Sequence, residues 1–284
     1  MSDSPSNKFV LIGLPATGKT SFLAALWYLI HHAQVDHRLT LEHMEGDSKY
    51  LNQISRLWAS FEVVPRTSTD AEQTVTMALN DSVTGKTITL TFPDLSGESF
   101  VAQWVERQFT ASYDQFLRES AGGILFISPI KYDKPVRIDA AASLVKEMEA
   151  AGGDEGDDSS SAPWDPAQSP TQVKLVELLQ FIAARDYFKP PFRLALVISA
   201  WDQLKGERTT PAKWLSDELP LLVQFLQSNR RLFDYTVYGV SAQGGDYAQA
   251  DQLTEMAPSE RILVIGADVK NPHDLTEPLL WLMR

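Results

Sequence analysis

The stretch Phe9-Val-Leu-Ile-Gly-Leu-Pro-Ala-Thr-Gly-Lys-Thr20 decides how this chain is read. Its first four residues are a short continuous apolar run, the pattern of a strand buried on both faces of a parallel sheet. The next eight, Gly13 to Thr20, fit G-x-x-x-x-G-K-[ST]. Then Phe22, Leu23, Leu26, Trp27, Leu29 and Ile30 recur at the spacing of a core-facing helical stripe. Strand, glycine loop and helix in that order are the context in which this pattern cradles phosphate. Phosphate oxygens need several inward-pointing N–H donors, a helix N-terminus and one cation. Gly13, Pro15, Ala16, Thr17, Gly18, Lys19, Thr20 and Ser21 are the expected binding set. Pro15 has no N–H, so its position contributes no donor. Lys19 is expected to reach the β- and γ-phosphates, and the Thr20 hydroxyl to ligate Mg²⁺.

Working outward, the chain alternates strands and helices. Asp47 is placed to cap a short helix carrying Leu51, Ile54, Leu57 and Trp58. Thr74 to Leu79 and Thr87 to Phe92 each alternate apolar and polar residues, and the turn Asp81 to Gly85 between them predicts an antiparallel hairpin. Further helices are expected over residues 99–119, 136–150, 211–228 and 271–284, with another resuming near Thr171. Gly122 to Ile127, Leu194 to Ile198 and Tyr235 to Val240 read as strands, with Arg261 to Ile265 as an extra one. The expected fold is a three-layer α/β arrangement on a mostly parallel sheet with one antiparallel edge strand. Ligands on such sheets bind beyond the C-terminal strand ends. The loops after Ile12, Phe92, Ser199 and Val240 are therefore expected to meet at one site.

Those loops hold the remaining motifs. Phe92-Pro-Asp94-Leu-Ser-Gly97-Glu98 ends a strand with an acid suited to the metal partner of a phosphate loop, and Gly97 lets backbone approach the γ-phosphate. Ser199-Ala-Trp-Asp202 and Ser241-Ala242-Gln243 end two later strands. Asp94-x-x-Gly97, Ser199-Ala-Trp-Asp202 and Ser241-Ala242, in that order after Gly13–Thr20, resemble the translation-factor and Ras-like (TRAFAC) class of P-loop GTPases. That class carries Asp-x-x-Gly, Asn-Lys-x-Asp and Ser-Ala at these points. The resemblance covers nearly the whole chain. It implies one GTPase-like domain over residues 1–284, an elaborated switch region at 34–73, and GTP/GDP with Mg²⁺ as ligands. Thr20 and Asp94 would be the metal ligands.

Chemistry favours guanine over adenine. A carboxylate at Asp202 accepts from the N1–H and 2-amino group of guanine, whereas adenine turns a lone pair toward it. The Ala242 amide is placed to donate to O6. The family's Asn and Lys are Ser199 and Ala200 here, so adenine is not excluded. Trp201 either supplies a stacking surface for the base or belongs to the core.

Catalytic roles follow less directly. Glu98 stands where the family often places a water-positioning Gln, and as a carboxylate it either orients water or simply favours a helix N-terminus. Thr69 and Thr67 are the switch-threonine candidates. Arg66-x-x-Thr69 is similar to the spacing in heterotrimeric G-protein α subunits, where the Arg acts in cis, although a solvated surface arginine fits as well. Lys19 joins Glu98, Arg66 and Thr69 in the candidate catalytic set. The glycine loop, Asp-Leu-Ser-Gly-Glu98 and the terminal Pro278-Leu-Leu-Trp-Leu282 also look like the bacterial double-GTPase group. That likeness implies a prokaryotic defence or conflict system, a second related GTPase and an effector as partners. A nucleotide-binding module with little turnover and an ATP-dependent enzyme are the rival readings.

Composition narrows the field. Among 284 residues there are 25 Lys and Arg against 37 Asp and Glu, a formal charge of −12, and no cysteine. Thiol catalysis, disulfides and Cys-ligated zinc are thereby excluded. A charge of that sign disfavours a nucleic-acid surface but leaves room for one local phosphate pocket. Seven acids and no Lys or Arg fall between Glu147 and Val173, so over half the excess lies in or beside residues 150–170, expected to be a flexible acidic insertion. His31, His32, His37 and His43 have no helical ligand spacing, and Arg230-Arg231 fits a helix C-terminus better than a kinase lid. The polar N-terminus and the absence of a long apolar run lead to the expectation of a soluble cytoplasmic protein.

Overall fold

A computed structural model describes residues 7–32, 35–46, 48–63, 74–92, 103–134, 165–204, 209–246 and 253–284. Eight strands form one sheet: β1 (Lys8–Gly13), β2 (Leu39–Glu45), β3 (Val75–Asp81), β4 (Thr87–Phe92), β5 (Gly122–Ile127), β6 (Phe192–Ser199), β7 (Phe233–Ser241) and β8 (Leu263–Ile265). Their spatial order is β2-β3-β4-β1-β5-β6-β7-β8. β4, β1, β5, β6 and β7 pair in parallel, the register running Phe9↔Gly122 to Gly13↔Phe126 between β1 and β5. β3 pairs antiparallel with both β4 and β2, and β8 pairs antiparallel with β7.

The central parallel strands β1, β5 and β6 are buried on both faces, which is why they read as near-continuous apolar runs. In β1, Phe9 and Leu11 join one core while Val10 and Ile12 join the other. α1 (Lys19–His31), α2 (Ser48–Ala59) and the C-terminal α7 (Glu277–Leu282) cover the first face. The second is covered by α3 (Ala111–Glu119), α4 (Thr171–Ala183), α5 (Pro211–Glu218) and α6 (Pro220–Ser228). The result is the three-layer α/β fold of a P-loop NTPase, as the sequence implied.

Several elements differ from expectation, each for a local reason. α1 buries every residue from Phe22 to Leu29, not one stripe, because α2 packs over its outer side. There the Trp27 indole donates to Asn52 Oδ1 at 2.9 Å. The hairpin strand β3 is not the edge, since β2 pairs outside it. β2 escapes a sequence reading because it is largely exposed and its register shifts between Leu41 and His43, which spoils the alternation. The helix expected over 99–119 is interrupted: Arg107 takes φ 53°, and α3 starts afresh where Thr110 accepts from the Tyr113 N–H. The helix over 211–228 divides at Pro220, which cannot continue the ladder of the preceding turn. The last helix is confined to 277–282. Asp274 precedes it in a turn, accepting from both the amide and the hydroxyl of Thr276. The helix expected at 136–150 and most of the 150–170 insertion lie outside the described residues.

One ion pair ties the sheet edge together. Asp81, buried at the end of β3, accepts from Arg38 Nε at 2.5 Å and Nη2 at 2.6 Å, and from the Val83 N–H at 3.0 Å. These bonds, Arg38 foremost, hold its carboxyl far below the usual carboxylate range. A depressed folded-state value means that the stabilisation is complete above the unfolded value of about 3.9 and is lost as pH falls through the folded one. Asp81→Asn is expected to cost about 1–3 kcal/mol at neutral pH by urea unfolding. The deficit relative to wild type should shrink below about pH 4.

Candidate functional site

The loops after β1, β5, β6 and β7 meet at the C-terminal edge of the sheet. They enclose a cavity of about 240 Å³ whose lining includes Gly18, Ser199, Asp202, Ala242 and Gln243. Three of the four loops expected to converge do so, and the fourth, after Phe92, lies outside the described residues. The loop after β5 joins them unexpectedly, bringing Ser128, Ile130 and Lys131. Ser128 Oγ accepts from the Lys131 N–H at 3.1 Å, which folds that segment over the cavity wall.

The glycine loop is built as its residues dictate. The Thr17 hydroxyl donates to the Leu14 carbonyl at 2.8 Å and closes the turn. The Lys19 ammonium donates to the carbonyls of Gly13 and Leu14, each at 2.8 Å, so it lies across the mouth of the loop. Ala16 and Gly18 both have positive φ, 57° and 83°. A Cβ on Gly18 would stand 3.1 Å from Ser199 Cβ, so glycine is required there by both conformation and space. α1 begins directly after it, with no acid in its first turn and no side-chain cap. Its amide donors and dipole are thus left for an external anion. Thr20 and Ser21 occupy that first turn.

At the far side of the cavity the Ser241 hydroxyl, buried at the end of β7, donates to Asp202 Oδ1 and itself accepts from the Gly244 N–H at 3.1 Å. Gln203 Nε2 donates to Asp202 Oδ2 at 2.5 Å. A carboxylate has about four acceptor sites, so these two bonds orient Asp202 and leave capacity for a ligand's donors. Ala200, in the left-handed region at φ 47°, turns the chain so that Asp202 faces β7. Ser199 donates to the Ile127 carbonyl at 3.3 Å and serves as a strut between β5, β6 and the glycine loop.

Of the two roles open to Trp201, the structure favours the core. Its indole is buried in the core with the residues of α5 and α6, lying on β7 where Gly239 leaves space. A Cβ on Gly239 would come within 2.5 Å of the ring. The side chain is therefore spent on packing and is not a stacking surface for a base. Ala242 is buried, and its carbonyl accepts from the Trp58 indole of α2 at 2.9 Å. The buried Arg261 donates to the carbonyls of Trp58 and Ala59 at 3.2 and 2.9 Å, capping α2, and lies over the rings of Trp58 and Phe61. Burial pulls its pKa down. This bracing was not visible in sequence because its members are some 180 to 200 residues apart.

Asp94, Gly97, Glu98, Arg66 and Thr69 lie outside the described residues. A larger cavity, of about 440 Å³, sits at the opposite end of the sheet around Arg38, Asp81, Lys270 and Arg284, remote from the glycine loop. Lys131, Gln203, Gln243 and Asp246 line the smaller cavity without having been singled out in sequence. Gln243 alone carried a signal, as the residue after Ser241-Ala242.

The close fit at Gly239 gives a direct test. Gly239→Ala is expected to lower stability by about 1–3 kcal/mol in denaturant unfolding, by forcing the Trp201 ring out of place. Asp202 moves with Trp201, so ligand affinity at the cavity should fall in the same variant.

No curated protein matches the chain. Among solved structures, that of sup35 complexed with GDP is similar at 14% identity and a TM-score of 0.32. The similarity covers 84% of this chain and 38% of that one. Among the described residues no helix is long and apolar enough to cross a membrane. The family model of Double-GTPase 1 matches residues 10–282, from within β1 to the end of α7, and the chain belongs to that family.

Proposed function

We propose that this chain binds GTP and GDP with Mg²⁺ and hydrolyses GTP as a molecular switch. The observation that carries the reading is the shared cavity. A glycine loop with an uncapped helix N-terminus lies on one side, and on the other a carboxylate, Asp202, is aimed by Ser241. The first suits polyphosphate. The second suits a base edge with two donors, which is guanine. Membership in a GTPase family supports the same ligand.

In this reading Lys19 leaves its carbonyl partners for the β- and γ-phosphate oxygens, and the amides of Gly18 to Ser21 close on the phosphates. Thr20 and Asp94 would hold the metal. Magnesium, when bound, neutralises charge shared between the β- and γ-phosphates. Glu98 orients the attacking water, and Arg66 and Thr69 in the 34–73 switch region contact the γ-phosphate. The whole chain acts as one GTPase domain bearing the 150–170 insertion. It works in the cytoplasm beside a second related GTPase and an effector of a prokaryotic defence system.

A ligand that binds only the folded protein stabilises it by about 2.7 kcal/mol at a hundredfold excess over Kd. GTP or GDP with Mg²⁺ is therefore expected to raise Tm well above the shift given by ATP or ADP. Equal or reversed shifts contradict the guanine assignment. Lys19→Ala should abolish binding, and Asp202→Asn should exchange guanosine for xanthosine nucleotides. Phosphate release should fall at least tenfold in Glu98→Ala and Arg66→Ala. Unchanged release in both would remove these residues from catalysis.

A further inference from the structure

Gln243 lines the cavity beside Asp202 and Ala242, and both heteroatoms of its carboxamide are shielded from solvent with no hydrogen-bond partner among the described residues. A carboxamide has two donors and an acceptor to satisfy, and burying them unpaired is costly. Leu or Met would fill the same volume without that cost. Costs of this kind are characteristic of positions kept for binding and not for stability. Gln243 follows Ala242, whose carbonyl is fixed by Trp58, so the backbone that carries it is held in place.

We infer that Gln243 is a base-reading residue that donates through Nε2 to the O6/N7 edge of guanine. This rests on the guanine reading above. Asp202 can address only the donor edge, N1–H and the 2-amino group. Guanine's other edge presents two acceptors, O6 and N7, whereas adenine places an amino donor where O6 would be. Ser199 is committed to the Ile127 carbonyl, and Ala200 has no polar side chain. Gln203, which also lines the cavity, commits its Nε2 to Asp202, whereas the N–H donors of Gln243 have no partner among the described residues. Rotation about its side-chain torsions turns the carboxamide to a base in the cavity and satisfies it there. Asp202 and Gln243 then read opposite edges, and adenine is rejected twice.

The test uses the full chain with GDP, ADP, 7-deaza-GDP and 6-thio-GDP in equilibrium binding, plus Tm without nucleotide. Wild type should prefer GDP to ADP and bind one or both guanine analogues more weakly. Gln243→Leu should bind GDP about tenfold more weakly, the loss of roughly one hydrogen bond. It should also lose the analogue penalty, while its nucleotide-free Tm stays equal or rises. Gln243→Glu, with acceptors facing acceptors, should bind GDP more weakly still. If wild type does not prefer GDP to ADP, the guanine reading itself fails. If it does, but Gln243→Leu keeps wild-type GDP affinity and analogue ratios, only the role of Gln243 is overturned. A lowered nucleotide-free Tm with unchanged affinity would assign the residue to packing alone.

Discussion

The rest of the site depends on the approach of Gly18 to Ser199. The loop after β1 and the loop after β6 come from strands separated by β5, yet they meet so closely that a Cβ on Gly18 would stand 3.1 Å from Ser199 Cβ. That contact brings the phosphate side of the cavity and the base side to a common wall. It depends on β1, β5 and β6 being parallel and in register, so that their C-terminal ends finish level. The Ser199 bond to Ile127 ties β6 to β5 at the same level. Asp202 is carried from that point by the turn at Ala200 and fixed by Ser241 on the next strand, β7.

A second layer of bracing reaches the site from α2. α2 lies on α1, and its Trp58 indole reaches the carbonyl of Ala242. Arg261 caps the end of α2 and packs its backbone against Gly244, whose amide supports Ser241. A buried guanidinium is costly without a counter-charge. Here the C-terminal carbonyls of α2 and two aromatic rings provide compensation. The base loop and the element that leads into residues 64–73 therefore share one packed unit.

How much of this was legible in the sequence depended on how local each signal was. The glycine loop, Asp202 and Ser241 were readable because their chemistry sits in a few adjacent residues following buried strands. The fully buried strands β1, β5 and β6 were readable because burial on both faces leaves no polar alternation. β2 was harder to see, because it is exposed and bulged, whereas the apolar run Arg261 to Ile265 did mark the three-residue β8. The division at Pro220 was signalled by the proline itself, but the continuous apolar pattern on either side concealed it. Trp201 left both roles open in sequence. Its burial rests on Gly239, some forty residues later, where a missing side chain makes the space. The unpaired amide of Gln243 could not be read at all, since pairing is a property of neighbours in space.

The ligand proposed for this cavity is a guanine nucleotide, held by Asp202 and the glycine loop. The most direct measurement is mass identification of the nucleotide released when the protein, purified without added nucleotide, is denatured. GDP or GTP is expected in near-stoichiometric amount from the wild type, and is expected to be lost from Lys19→Ala. Recovery of ADP or ATP instead would contradict this assignment.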